Sequence, residues 1–218
     1  MRLRRPARSP AARAYEEAEI PPPETPWREA GYAVVDLETT GLDPKQDEII
    51  SFAAVPIDAG RIKVGAVSTL MIRPSRMPEA ETIRIHGLRP QDLAEAPELR
   101  TVLDSVLEAL TGRVLVAHAA WVERGFLSKA LEEAGARLRR PVVDTVALFR
   151  RAQGQSAMDD EAIVPLSDAA RDLGLPVHRP HHADGDALTT AQLFLALATR
   201  LDSREAQTVG SLARSRVG

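Results

Sequence analysis

Tyr32-Ala-Val-Val-Asp-Leu-Glu-Thr-Thr-Gly41 is the stretch that decides the architecture. It opens on four apolar residues, alternates at Asp36-Leu37-Glu38, and breaks at Thr39-Thr40-Gly41. A run that is apolar at successive positions belongs in the middle of a sheet, covered on both faces. Side chains along a strand alternate with period two, so Asp36 and Glu38 share one face, roughly 7 Å apart at the backbone. Asp and Glu are poor strand formers, and two of them ending a central strand require a reason. Either the strand end reaches water, or the pair serves a site.

Downstream, Glu48 to Ile57 is a second β-rich run, and Asp58-Ala-Gly60 turns the chain into a third at Arg61 to Ile72. Short turns between consecutive strands predict an antiparallel meander. Leu99, Val102, Leu103, Val106, Leu107 and Leu110 then recur at helical spacing, up to Gly112. Val114-Leu-Val-Ala117 is a short buried strand, followed by a helix from Val122 to Ala134 and a strand at Pro141-Val-Val-Asp144. Short helices follow at Val146 to Arg151 and Leu166 to Leu173, with a loop over 153–163 between them. A long helix runs from Asp184 to Leu201. A meander followed by β–α alternation predicts an α/β fold: a mixed five-stranded sheet with helices on its faces.

Asp186 opens a stripe with Thr190, Leu193 and Leu197 on that last helix. The apolar members of the stripe face the sheet, and a lone carboxylate pointing the same way is expensive unless a cation compensates it. The competing reading is an acidic residue in the first turn, favoured by the helix dipole. His181 stands five residues earlier, in His178-Arg-Pro-His-His-Ala-Asp-Gly-Asp186. Histidine is the side chain best suited to take a proton near neutral pH. His178, His181, His182 and Asp184 also admit a histidine-rich zinc or iron site, although no zinc-hydrolase signature accompanies them.

Five segments occur in the order of the DEDD exonucleases: Val35-Asp-Leu-Glu-Thr-Thr-Gly-Leu42, Ile85-His-Gly-Leu88, Ala117-His-Ala-Ala-Trp-Val-Glu-Arg-Gly-Phe-Leu127, Val143-Asp-Thr145 and His181-His-Ala-Asp-Gly-Asp-Ala187. The chain resembles the histidine branch of that superfamily, the DnaQ-like group that contains the proofreading subunits of bacterial DNA polymerases. The resemblance covers Gly31 to Leu201 and implies a ribonuclease H-like fold. It implies 3′→5′ exonuclease activity with two Mg2+ ions, or Mn2+, held by Asp36, Glu38, Glu123 and Asp186. His181 matches the general base, and Thr39, Leu42 and His86 match positions lining the terminal nucleotide's pocket. Asp144 falls on an Asp-Thr pair outside the metal shell and is given no catalytic role.

One segment departs from the pattern. The family's His-Asn-Ala-x-Phe-Asp is here His118-Ala-Ala-Trp-Val-Glu123, so the ligand Asp becomes a Glu. The extra methylene moves the carboxylate by about 1.5 Å, which bears on rate and on the choice between magnesium and manganese. The implied substrate is a single-stranded DNA or RNA 3′ end, and a DNA polymerase is the implied protein partner. A catalytically weak module of the same fold, binding strand ends or a polymerase, is the competing reading.

Composition sets the limits. Without cysteine, any metal must sit on oxygen or imidazole ligands. No apolar run reaches the ~18 residues of a membrane helix, and a soluble, cytoplasmic protein is expected. A net charge of −3 argues against coating duplex DNA, which takes a basic excess, and for local contact at a strand end. Residues 1–24, with five arginines and Pro21-Pro22-Pro23, read as a disordered tail. The exonuclease domain is expected over 25–203, with a C-terminal extension over 204–218.

Overall fold

The computed structural model describes residues 9–139, 141–154 and 163–214. In chain order its elements are α1 (Pro10–Glu17), β1 (Tyr32–Thr39), β2 (Ile49–Asp58), β3 (Arg61–Ile62), β4 (Ser68–Met71), α2 (Ala80–His86), α3 (Pro90–Leu93), α4 (Leu99–Leu110) and β5 (Val114–Ala117). There follow α5 (Trp121–Glu133), β6 (Val142–Asp144), α6 (Thr145–Ala152), α7 (Leu166–Asp172), α8 (Ala183–Asp202) and α9 (Val209–Leu212). The sheet runs β3-β2-β1-β5-β6, with β4 also paired to β2. β1 is antiparallel to β2 and parallel to β5, and β5 is parallel to β6.

Period two on β1 divides the core. Tyr32 and Val34 join the cluster built with Phe194 and Leu197 of α8. Ala33, Val35 and Leu37 join the opposite cluster, with Leu107 of α4 and Phe126 and Leu127 of α5. The sheet is therefore covered on both sides, as its unbroken apolar runs require. Asp36 and Glu38 continue the Tyr32–Val34 face, so they point toward the α8 layer. β5 pairs with β1 only from Tyr32↔Val114 to Val34↔Val116, and residues from Asp36 onward run past it. The carboxyl ends of β1 and β5 thus open together between an antiparallel and a parallel neighbour, the place where α/β sheets bind ligands.

The structure departs from the sequence reading in several places. The sheet has six strands rather than five, because a 3-10 turn at Val64–Ala66 splits the third segment into β3 and β4. The tail read over 1–24 holds a helix, α1, in which Ala12 and Tyr15 are buried. An eight-residue helix is marginal alone; this one is capped by Ser9, whose hydroxyl also donates to Asp104 of α4 at 2.6 Å. Arg139 donates to the carbonyls of Tyr15 and Glu16 at the other end. Residues 1–8 lie outside the described ones, as do 155–162 of the expected loop. In the C-terminal extension, Val209 and Leu212 are buried, and Val209 donates its amide to Thr25 O at 2.9 Å. No helix among the described residues is long and apolar enough to cross a membrane.

Candidate metal centre and active site

Asp36 and Glu38 come from the end of β1 and Asp186 from the first turn of α8. Each offers a carboxylate oxygen within 4.8 Å of the others. The strand period and the helix stripe, read separately, converge on this point. Glu123, in the first turn of α5, is not within that distance of all three. It is nevertheless buried, with only 4% of its surface exposed, and its Oε2 is buried without a hydrogen-bond partner.

The electrostatics follow from packing acids together. Burial first, then the charges of Glu123, Glu38 and Asp186, raises the Asp36 carboxyl well above the usual carboxylate range. Glu38 is pushed up to about 7, by burial and then by Asp186. Burial, with Asp144 and Glu38 adding to it, carries Glu123 to about 8. Asp186 is raised by burial against the opposing pull of His181 and His182. Buried acids that repel one another are relieved by protons or by hard cations, and an all-oxygen donor set fits a divalent cation such as Mg2+ or Mn2+.

His181 is exposed and left-handed (φ 60°), and its amide donates to Asp186 Oδ2 at 2.8 Å. The loop that carries it lies tight against α8: a Cβ at Gly185 would collide with the carbonyl oxygens of His178 and Arg179. His86 is buried, and its Nδ1 accepts from Leu88 N at 2.9 Å. That bond leaves the ring proton on Nε2, which is buried without a partner. Burial and His182 lower the His86 pKa, so the ring is neutral at neutral pH. Thr39 is buried and donates its hydroxyl to Gly41 O, while Leu42 is 65% exposed. The histidine-rich zinc or iron site is not formed. His178 Nε2 meets Gln192 at 3.2 Å and Asp184 pairs with Arg179 at 2.6 Å, and neither belongs to the one grouping of potential ligands among the described residues.

Sequence reasoning missed the part played by Asp144. Its carboxylate accepts from Ala119 N and Ala120 N, both at 3.1 Å, and caps α6 through Val146 N at 2.9 Å. Ala119 is left-handed (φ 55°), a conformation that costs an alanine about 1 kcal/mol. Asp144 therefore fixes the strained link between β5 and the helix that carries Glu123. Next to it, Thr145 Oγ1 lies 2.9 Å from His118 Nδ1, and Val164 O lies 2.7 Å from His118 Nε2, so the ring of His118 is held within the structure. No sequence pattern marks a carboxylate that binds amides 24 and 25 residues away. A cleft of about 620 Å3 against α4 and α5 lies apart from these groups, and its charges are partly paired within it, Arg73 with Glu98 at 3.2 Å.

Comparison with known proteins shows the family and the fold. The Exonuclease family (RNase_T) matches residues 33–194. A DNA polymerase III subunit epsilon-like protein of Rhodobacter capsulatus is 35% identical over 196 residues, 87% of this chain and 27% of that protein. The 3′-5′ exonuclease DinG of Bacillus subtilis is 31% identical over 84% of this chain and 19% of its own length. The chain thus spans well under a third of these curated relatives. Among solved structures, E. coli Exonuclease I in complex with a dT13 oligonucleotide has a TM-score of 0.67 and 16% identity, over 80% of this chain and 42% of that one. Exonuclease X in complex with 5′-overhanging duplex DNA has a TM-score of 0.60 and 21% identity, over 84% of this chain and 97% of that one. These two likenesses show a shared fold.

Proposed function

This chain belongs to the exonuclease family, of the DEDD superfamily, and from that premise we propose that it removes nucleoside monophosphates one at a time from nucleic-acid 3′ ends. The observation that carries the reading is the convergence of Asp36, Glu38 and Asp186 to within 4.8 Å, with buried Glu123 beside them. These four side chains would hold two divalent cations, magnesium or manganese. Bound there, the cations activate water and neutralise charge on the scissile phosphate.

The chain's own residues supply the rest. His181, tied through its amide to Asp186, takes the proton of the attacking water. Its exposure suits a base that must return that proton to solvent on every turnover. His86 offers its unpartnered Nε2–H to the terminal nucleotide, and Thr39 and Leu42 line the same pocket. The substrate is a single-stranded DNA or RNA end, met in the cytoplasm. The DNA polymerase III subunit epsilon-like relative supports a DNA polymerase as the partner.

The test is degradation of a 3′-labelled single strand in magnesium and in manganese, with matched DNA and RNA. The wild type should release mononucleotides from the 3′ end, and Asp36→Ala should fall to background while keeping its fold. Wild-type turnover by Asp36→Ala would overturn the metal assignment. Binding without cleavage by the wild type would make the protein an end-binding module instead.

A further inference from the structure

Six large apolar side chains stand exposed among the described residues: Leu42, Val64, Met77, Ile85, Trp121 and Ile163. Such residues scattered singly need no explanation. Three of these six are not scattered with respect to the site. Leu42 follows the β1 carboxylates, Ile85 precedes His86, and Trp121 stands two residues before Glu123. Trp121 is the costliest to expose, with half of its surface in water, whereas the other tryptophan, Trp27, is 1% exposed.

The loop after β1 reaches the helix face that bears this indole. Gly125 lies one turn beyond Trp121, on the same side of α5. A Cβ there would stand 2.6 Å from Pro44 Cγ, so the loop carrying Leu42 and Pro44 rests against that face. Leu42 and Trp121 therefore flank the contact between that loop and α5, four residues along the chain from Glu38 and two from Glu123. On the reading above, the carboxylates would hold cations that engage phosphate, and what remains of a strand to be held is its bases, flat and apolar on both faces. With a net charge of −3, the chain is poorly placed to gain affinity by neutralising phosphates along the strand. Stacking on an aromatic side chain supplies affinity that is indifferent to base identity.

We propose that Trp121 is a stacking platform for the base next to the 3′-terminal one. This rests on the exonuclease reading above, and the experiment separates the two. Trp27 is buried, so a change in tryptophan emission on binding reports Trp121. The probe is a short oligothymidylate with a phosphorothioate at its last linkage, titrated into the full chain in magnesium. Saturable quenching is expected, and it should survive moderate salt. Steady-state rates are then compared on unmodified oligothymidylate and on the p-nitrophenyl ester of thymidine 5′-monophosphate, which has no second base. Trp121→Ala should raise the ratio of KM on the oligonucleotide to KM on the ester about tenfold, within the range of one base stack. Trp121→Phe should recover most of that loss, which a merely structural role would not predict. An unmoved ratio, or emission indifferent to an oligonucleotide that the protein does hydrolyse, would overturn the platform and leave the exonuclease standing. Failure to hydrolyse either substrate would overturn the exonuclease reading itself.

Discussion

Replacing Glu123 by Asp draws the carboxylate back by one methylene, about 1.5 Å. The sequence leaves the direction of the effect open; the structure sets it. Glu123 already lies outside the 4.8 Å grouping of the other three acids, and the shorter side chain retreats further into a buried site. Glu123→Asp should therefore lower the magnesium-dependent rate by about tenfold or more, with manganese recovering part of it, since magnesium tolerates distorted coordination least. Glu123→Ala, which also removes the charge, should be worse than Glu123→Asp in both metals. Rates equal to wild type in both variants would remove Glu123 from the site. His181→Ala should cost roughly 10²-fold in rate, the usual scale of general-base catalysis. Metal affinity by calorimetry should hardly move, and its collapse would make His181 a ligand. Asp36, Glu38 and Asp186 were legible because strand and helix periods say which way a side chain points. Glu123 was legible only through the family resemblance, because a first-turn glutamate looks the same whether it binds a cation or water.

At the scale of elements, the link from β5 to α5 shows where sequence reading stops. Helix α5 is visible in its apolar spacing, but the strain at Ala119 and its restraint by Asp144 are tertiary facts. They make a paired prediction. Asp144→Ala removes the acceptor for three backbone amides and should cost about 2–3 kcal/mol of stability. Activity should fall with it, because α5 no longer holds Glu123 in place. Ala119→Gly removes the left-handed penalty and should stabilise the wild type by about 0.5–1 kcal/mol. In the Asp144→Ala background it should restore part of the lost manganese affinity, measured by calorimetry on protein shown to be folded. No gain in either background would mean that the strain at Ala119 is unconnected with the site. The same limit explains α1 and the split third strand. An eight-residue helix with an arginine-rich approach carries too little periodicity to stand out, and its burial comes from α4 and from Arg139, more than 80 residues on. Within Arg61 to Ile72 the mark of the 3-10 turn that divides it is a single glycine, Gly65, at its centre.

For the molecule as a whole, a cation site built from these four carboxylates would make stability depend on pH and on divalent cations together. Glu38 and Glu123 have folded values of about 7 and about 8, against an ordinary 4.5, and Asp36 and Asp186 are raised as well. The folded state therefore binds these protons more tightly than the unfolded chain. That contribution is fully present below the ordinary carboxylate values and is lost as pH rises through about 7 and 8. Other groups titrate elsewhere. The lowered histidines His86 and His118 act below their usual 6.5, and the lowered carboxyls of Asp58 and Asp92 act below 3.8. From pH 7 to 8.5 the site is thus the main source of slope. Metal-free protein should lose a few degrees of Tm over that interval, a penalty of about 1–2 kcal/mol. Saturating magnesium would replace the protons as partner of the carboxylates, so it should raise Tm most at pH 8.5 and flatten the profile. Glu123→Gln removes one of the repelling charges, and it should flatten the metal-free profile while weakening the response to magnesium. Thermal unfolding at pH 7 and 8.5, with chelator and with magnesium, checks all three. A metal-free Tm independent of pH, with no response to magnesium at pH 8.5, would mean that the four carboxylates do not act as one cation site.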